Sequence, residues 1–276
     1  MVLSETAWRV YALRDAYLRT IGPVIQFLQH RNPTLAHAIC SRAWLPEGSR
    51  FENAGDLEWA FGSMGLQDKA RHLATLYLED LGDLITEAID PHFGFSRYAE
   101  RLCRSASHFD PIAAALHAPP TFVTKHLLRL LDEKMQRVQP QVVCLTVPFP
   151  GNLLGALRCG RHLKAHYPDV HVVMGGGYCN TELRSVSDER VFDYVDYICL
   201  DDGEAPLQFL LEFLQGQRPA TALKRVFHRM EGVVCYRNGA PEKDVAQRDT
   251  GTPDYGDLPL HDYLSVIEIA NPMHSL

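Results

Sequence analysis

Several things are missing from this chain, and each absence narrows what it can be. No run of 18 uncharged apolar residues occurs, so there is no transmembrane-helix signal. The N-terminal stretch MVLSETAWRVYALRD carries charges inside its apolar pattern, which is not how a signal peptide reads. Positive charge is in short supply: 27 Lys and Arg stand against 34 Asp and Glu, for a net charge of -7. No basic stripe for nucleic acid and no polybasic patch for a membrane surface results. Close cysteine spacings are missing as well. The seven cysteines (Cys40, Cys103, Cys144, Cys159, Cys179, Cys199, Cys235) are scattered and include no Cys-x-x-Cys pair, so the chain has no evident zinc or iron-sulfur site of its own. Their odd number and apolar settings predict free thiols in a reducing, cytoplasmic compartment. Cys144 and Cys199 read as core, whereas Cys179 is the thiol expected to face a crevice. The phosphate-loop G-K-[ST] and the Gly-x-Ser-x-Gly nucleophile elbow are also absent, and no catalytic residue is assigned.

What is present is enough apolar residue, 46% of 276, to bury a real core. The first half reads as helical. Trp8, Tyr11 and Ala12 begin an amphipathic pattern, and Asn32-Pro33 and Asp110-Pro111 look like helix starts. Over residues 66–89, Ala70, Leu73, Ala74, Tyr77, Leu78, Leu81, Ile85 and Ala88 recur at helical spacing, with Gly82 as a possible kink. A further helix is expected over 121–138, with Val123, Leu127, Leu130, Leu131 and Val138 on one stripe.

At Pro140 the period changes. VVCLTV (142–147), VHVVMGG (170–176) and VDYICLDDGE (195–204) are short apolar runs ending in Pro, Gly or acidic residues, with helical stretches between and after them. Such alternation predicts β-α-β units and a parallel sheet covered on both faces. A later hairpin is expected with Asn238-Gly239 as its turn. The organisation is therefore a helical region over 1–139, a Rossmann-like α/β domain over 140–240 and a turn-rich linker over 241–276.

Ligands of open parallel sheets bind beyond the carboxyl ends of the strands. Three such ends are legible: Pro148-Phe149-Pro150-Gly151-Asn152, Gly175-Gly176-Gly177-Tyr178 and Asp201-Asp202-Gly203-Glu204. The proline turn lacks the N–H groups a phosphate needs and suits the face of a broad, mostly apolar ligand. The glycine triplet allows close approach of a ligand, or is simply a strand-to-helix turn. The acidic loop could bind a metal or ligand amides, although capping the next helix is its commonest use. His162 and His166, at i and i+4 with His171 nearby, have a metal-pair spacing, but beside Arg161 and Lys164 they read more readily as a solvated face.

The series VVCLTVPFPGNLLGALRCGRHLKAHYPDVHVVMGGGY, VFDYVDYICLDDGEAPLQFLLEFLQG and DLPLHDYLSV resembles the N-terminal region of radical S-adenosylmethionine (SAM) proteins that carry a cobalamin (B12)-binding domain. The resemblance covers residues 140–276. It implies a Rossmann-like, B12-binding-type domain holding cobalamin: Pro148, Phe149, Pro150, Gly151 and Asn152 at the corrin face, Gly175, Gly176, Gly177 and Tyr178 at the dimethylbenzimidazole tail, and Asp202, Gly203 and Glu204 at the side-chain amides. A following barrel, which would bind SAM and a [4Fe-4S] cluster through Cys-x-x-x-Cys-x-x-Cys, is not in this chain, so the parent is expected to be the enzyme and its barrel the partner of this region. The parent's chemistry would be SAM- and B12-dependent, such as methylation or rearrangement. The cobalt-ligating Asp-x-His-x-x-Gly has no match; Asp90-Pro91-His92-Phe93-Gly94 is one residue short. Many members resemble this sequence in lacking that histidine. The competing reading is a B12-type fold that has lost its cofactor and serves domain or protein interaction; a flavodoxin-like domain using Asp201 and Asp202 is a weaker third.

Overall fold

Apolar residues at helical spacing make the first part of the chain helical, as expected. The computed structural model describes residues 3–53, 65–95, 97–106 and 108–267. The chain divides into two units, residues 1–91 with 254–276, and residues 92–253. Residues 92–139, expected with the helical region, thus group with the strands.

In the first unit, α1 (Glu5–Ala12), α2 (Arg14–Leu28), α3 (Ala36–Cys40) and α4 (Gly65–Ala88) enclose a core that includes Phe27, Leu28, Ile39, Leu73 and Tyr77. Ser4 caps α1 by accepting from the Ala7 N–H at 3.2 Å, which satisfies one of the donors a helix start leaves free. The inner face of α1 is Ala7 and Val10, while Trp8 and Tyr11, which marked the helix in the sequence, point outward. Gly82 does not interrupt α4. Tyr17 and Tyr77 stack at 4.7 Å between centroids. Asp80 is fully buried and accepts from the Gly48 N–H (2.8 Å), the Arg50 N–H (3.0 Å) and the Tyr17 hydroxyl (3.4 Å). Gly48 is required at its place, since a Cβ there would stand 2.4 Å from the Asp80 carboxyl carbon. Part of the expected linker returns to this unit: the Ser265 N–H donates to Leu28 O (2.8 Å) and the Ile267 N–H to Thr75 Oγ1 (3.0 Å). The rest of the C-terminal stretch, residues 268–276, lies outside the described residues.

The second unit is α/β. Ahead of its strands come α5 (Glu100–Ser105), α6 (Asp110–His117) and α7 (Phe122–Val138). Asp110 does not cap α6. It is the first residue inside the helix, and its carboxylate pairs instead with Arg190 at 2.7 Å. On α7 the inward stripe is rotated from the expected one: Thr124 and Met135 are buried, whereas Leu130 and Val138 are exposed. Five strands follow, β1 (Val142–Thr146), β2 (His171–Gly175), β3 (Tyr197–Cys199), β4 (Val226–Met230) and β5 (Val233–Arg237), interleaved with α8 (Pro150–His166), α9 (Gly177–Glu182) and α10 (Glu204–Leu214).

The sheet order is β1-β2-β3-β4-β5. The first three strands are parallel and the last two antiparallel, so the sheet is mixed rather than wholly parallel. β1 lies at the edge, and Cys144 within it is exposed, which corrects its reading as core. The β4–β5 hairpin turns at Glu231-Gly232, whose φ values of 52° and 78° are both left-handed. That is the geometry two-residue hairpin loops favour. Asn238-Gly239, the expected turn, instead follows β5, where the Gly239 N–H donates to Leu223 O (2.9 Å) and a Cβ would meet Thr221 O at 2.0 Å.

The helices divide between the two faces of the sheet. Leu153, Leu154 and Leu157 of α8 and Cys179 of α9 share a core with Val172, Met174 and Ile198. Leu210 of α10 packs with Val173 and Cys199 on the opposite face. Each leucine removed from water there contributes about 1.5–3 kcal/mol, which anchors the helices to their faces.

Candidate functional site

The chain leaves β2 toward one face of the sheet and leaves its neighbour β3 toward the other. Loops that diverge from adjacent parallel strands open a crevice between them. A cavity of about 310 Å³ lies there, with Thr146, Gly175, Gly176, Asp201, Gly203 and Glu204 in its lining. A second cavity, of about 490 Å³, lies beside the end of β1 toward α7 and includes Gly151, Asn152, Leu127 and Arg158. Cys144, Leu145 and Thr146 line both, so the end of β1 is a partition between them.

The three strand ends fare differently. Gly176 has φ +103°, and a Cβ on it would fall 2.9 Å from Val147 O. A Cβ on Gly177 would fall 2.8 Å from Pro148 O. These two glycines are therefore demanded by the neighbouring strand end, on which their backbone is laid: the Val147 N–H donates to Gly175 O (2.7 Å) and the Tyr178 N–H to Val147 O (3.0 Å). Gly175 has only ordinary contact at 3.4 Å with Cys199 O and lines the smaller cavity. Tyr178 does not join the glycines at the crevice. It is buried and lines a separate cavity of about 520 Å³ with Phe109 and Leu157, where burial, and then neighbouring Cys103, Glu182 and Cys179, push its hydroxyl up to about 12. Cys179, expected to face the crevice, is also in the core, and burial pushes its thiol up to about 12. The reason is the helical turn of α9, which points both side chains back toward α8.

In the proline turn, Phe149 is 60% exposed and Pro148 also faces solvent, while Pro150 opens α8 as its first residue. A missing N–H costs nothing at that position. Gly151 is close-packed, with its would-be Cβ 3.3 Å from Arg97 Cα and from Tyr98 O. Asn152 is exposed.

In the acidic loop, Asp201 takes a left-handed φ of 61°. Its N–H donates to Asn180 Oδ1 at 2.7 Å, and its carboxylate is held by Arg184 and lies 3.2 Å from Arg225 Nε. Each of its two carboxylate oxygens is thus engaged by an arginine. No side chain caps α10; Gly203 stands at the cap, and Glu204 sits in the first turn, where the helix dipole favours an acid. Asp202, Gly203 and Glu204 are exposed. Among the described residues no group of three or more His, Cys, Asp or Glu is placed to hold a metal. His162 and His166 stack at 4.2 Å, and His162 Nε2 is 2.7 Å from Asp132. No helix among the described residues is long and apolar enough to cross a membrane.

Sequence reasoning missed Arg158. It is 7% exposed, in the middle of α8, and lines the larger β1 cavity. Its signal was present: Leu154 and Arg158 stand at i and i+4, which puts an arginine on the apolar stripe of α8. Compared with protein-family models, curated proteins and solved structures, the chain matches none of them.

Proposed function

We propose that residues 92–253 form a cobalamin-binding module, Rossmann-like in the B12-binding manner, that serves a radical SAM barrel. The observation that carries this reading is the divergence of the loops after β2 and β3, which opens a cavity between a glycine end and an acidic end in the order the resemblance implies. The donor set suits a flat ligand fringed with amides. Gly175 and Gly176 present backbone without side chains, and the side chains of Thr146 and Glu204 line the cavity. Phe149, Pro148 and Pro150 line neither cavity at the strand ends; the exposed Phe149 ring is available to a corrin face that extends beyond the cavity. Cobalamin, when bound, would supply a cobalt centre able to carry a methyl group or a radical; Gly175, Gly176, Thr146 and Glu204 would hold its edge and orient it. No protein histidine is assigned to the cobalt.

A second reading, an interaction module without cofactor, is favoured by the exposure of β1 and by the cavity's size, about 310 Å³, which holds the edge of a corrin rather than its whole volume. Purifying the full chain with hydroxocobalamin and recording its visible spectrum separates the two. Stoichiometric binding that survives His92→Ala is expected. No binding at high micromolar cobalamin overturns the cofactor reading in favour of the interaction module.

A further inference from the structure

We propose that the cavity between α6, α7 and α8 is a binding site for a small organic carboxylate, anchored by Arg158. The site has a volume of about 320 Å³ and is separate from the crevice between β2 and β3. The helical period of α8 sets Arg158, then Arg161 and His162, then Ala165 and His166 along one stripe, opposite Thr124 and Leu128 of α7 and Leu116 at the end of α6.

Arg158 is the part of this arrangement that folding alone does not explain. Its guanidinium is buried, yet no carboxylate among the described residues pairs with it. Nη1 donates to Thr124 Oγ1 at 2.6 Å and to the Tyr98 hydroxyl, and the guanidinium lies 5.6 Å from the centroid of the Tyr98 ring. Both acceptors are neutral. Nε and Nη2 make no hydrogen bond to any described residue, and they are not sealed in. Among the described residues, the enclosed side-chain atoms that make no hydrogen bond are Arg225 Nε, His228 Nε2 and Arg237 Nε, and the two Arg158 nitrogens are not with them. The free edge of Arg158 therefore opens on space, and Arg158 lines this cavity as well as the larger one beside β1. A buried cation with neutral partners only is costly, and an anion delivered by a ligand removes much of that cost.

The chemistry of the surroundings selects the anion. The free Nε and Nη2 edge is a planar fork that matches a carboxylate with two parallel hydrogen bonds. Arg161 adds positive charge at the mouth while Nη1 donates to Leu116 O, the carbonyl end of α6. That helix end carries partial negative charge, which costs a dianion such as phosphate more than a singly charged carboxylate. Among the described residues no carboxylate lines the cavity, and Asp132 is engaged by His162 Nε2 (2.7 Å) and the Tyr167 hydroxyl (3.0 Å). Leu116, Pro120 and Leu128 make the remaining wall apolar. A volume at the small end of the roughly 300–1,000 Å³ found for ligand pockets fits a short apolar body behind the carboxylate.

Hexanoate is the probe, titrated into the full chain by calorimetry. Saturable binding is expected, weakened on the order of tenfold or more by Arg158→Met, because a charge-assisted pair of hydrogen bonds is lost. Arg161→Met, at an exposed position, should weaken it only about threefold. Leu128→Trp, which fills the cavity and leaves Arg158 intact, should abolish it, and this variant decides the matter if Arg158→Met does not fold. Inorganic phosphate at the same concentration should not compete. Three results each overturn the proposal: no saturable hexanoate binding, binding unchanged in Leu128→Trp or in folded Arg158→Met, or displacement of hexanoate by phosphate.

Discussion

Each unit of this chain buries a charged side chain in the middle of a helix, and the two are treated in opposite ways. Asp80 of α4 is fully buried and is met by two backbone N–H groups and a tyrosine hydroxyl, so its acceptor sites are used by the fold. Arg158 of α8 is nearly as deep, yet among the described residues only one of its three nitrogens has acceptors. The difference teaches how to sort buried ions. One whose hydrogen-bonding capacity closes on neighbouring backbone holds a loop in place, whereas one left half-open toward a cavity is arranged for something that arrives later.

The largest expected effect comes from removing the closed ion. Asp80→Ala orphans the Gly48 and Arg50 N–H groups and should destabilise the helical unit by about 2–4 kcal/mol. Tryptophan fluorescence in a urea titration reads this unit selectively, since Trp8, Trp44 and Trp59 all lie within residues 1–91. An unchanged midpoint would end the comparison. Removing the open ion should do much less: Arg158→Met should move the unfolding of the sheet unit, followed by far-UV circular dichroism, by no more than about 1 kcal/mol. The lost hydrogen bonds are offset by the relief of a buried charge. A loss as large as that of Asp80→Ala would place Arg158 among structural ions.

The smallest effect is in the pH dependence. Burial, against the opposing hydrogen bonds from Arg50 and Gly48, pushes the Asp80 carboxyl above its ordinary range. Its folded pKa is thus higher than its unfolded one, so its contribution is complete below the unfolded value and is lost as pH rises through the folded value. Asp188 of the sheet unit is the reverse: the hydrogen bond from Arg190 holds it below its ordinary range, and its contribution is lost as pH falls through the depressed value. Measured by fluorescence across the acid range, the wild type should gain on Asp80→Asn as pH falls. A gap that widens with rising pH would contradict the sign assigned to Asp80.

Much of the architecture was legible in the sequence because continuous apolar runs bounded by Gly, Pro and acids announce buried strands, and β1, β2 and β3 fall where those runs lie. Strand order is not written in such runs, so nothing in VVCLTV distinguishes an edge strand from a central one. Asn238-Gly239 has the usual hairpin-turn composition, but Glu231-Gly232 meets the same backbone requirement with a less typical first residue. The rotation of the α7 stripe follows from its packing on α8, a nonlocal contact that a periodicity of leucines does not fix. The glycine triplet was identifiable as a special backbone site, but its main reason, contact with Val147 and Pro148, needed the strands side by side. Arg158 is not legible as a buried ion because arginine is a common solvated residue of helices, and its burial depends on α7 lying against α8.

The lacing of Gly175, Gly176 and Tyr178 onto Val147 has a mechanical consequence. Two backbone hydrogen bonds fix the glycine loop to Val147, the residue from which the proline turn departs, so both segments start from one shared anchor. The tie continues past the glycine loop: Asn180, on the helix that the loop opens, accepts from the Asp201 N–H at 2.7 Å, so the three strand ends form one bonded series rather than three separate lips.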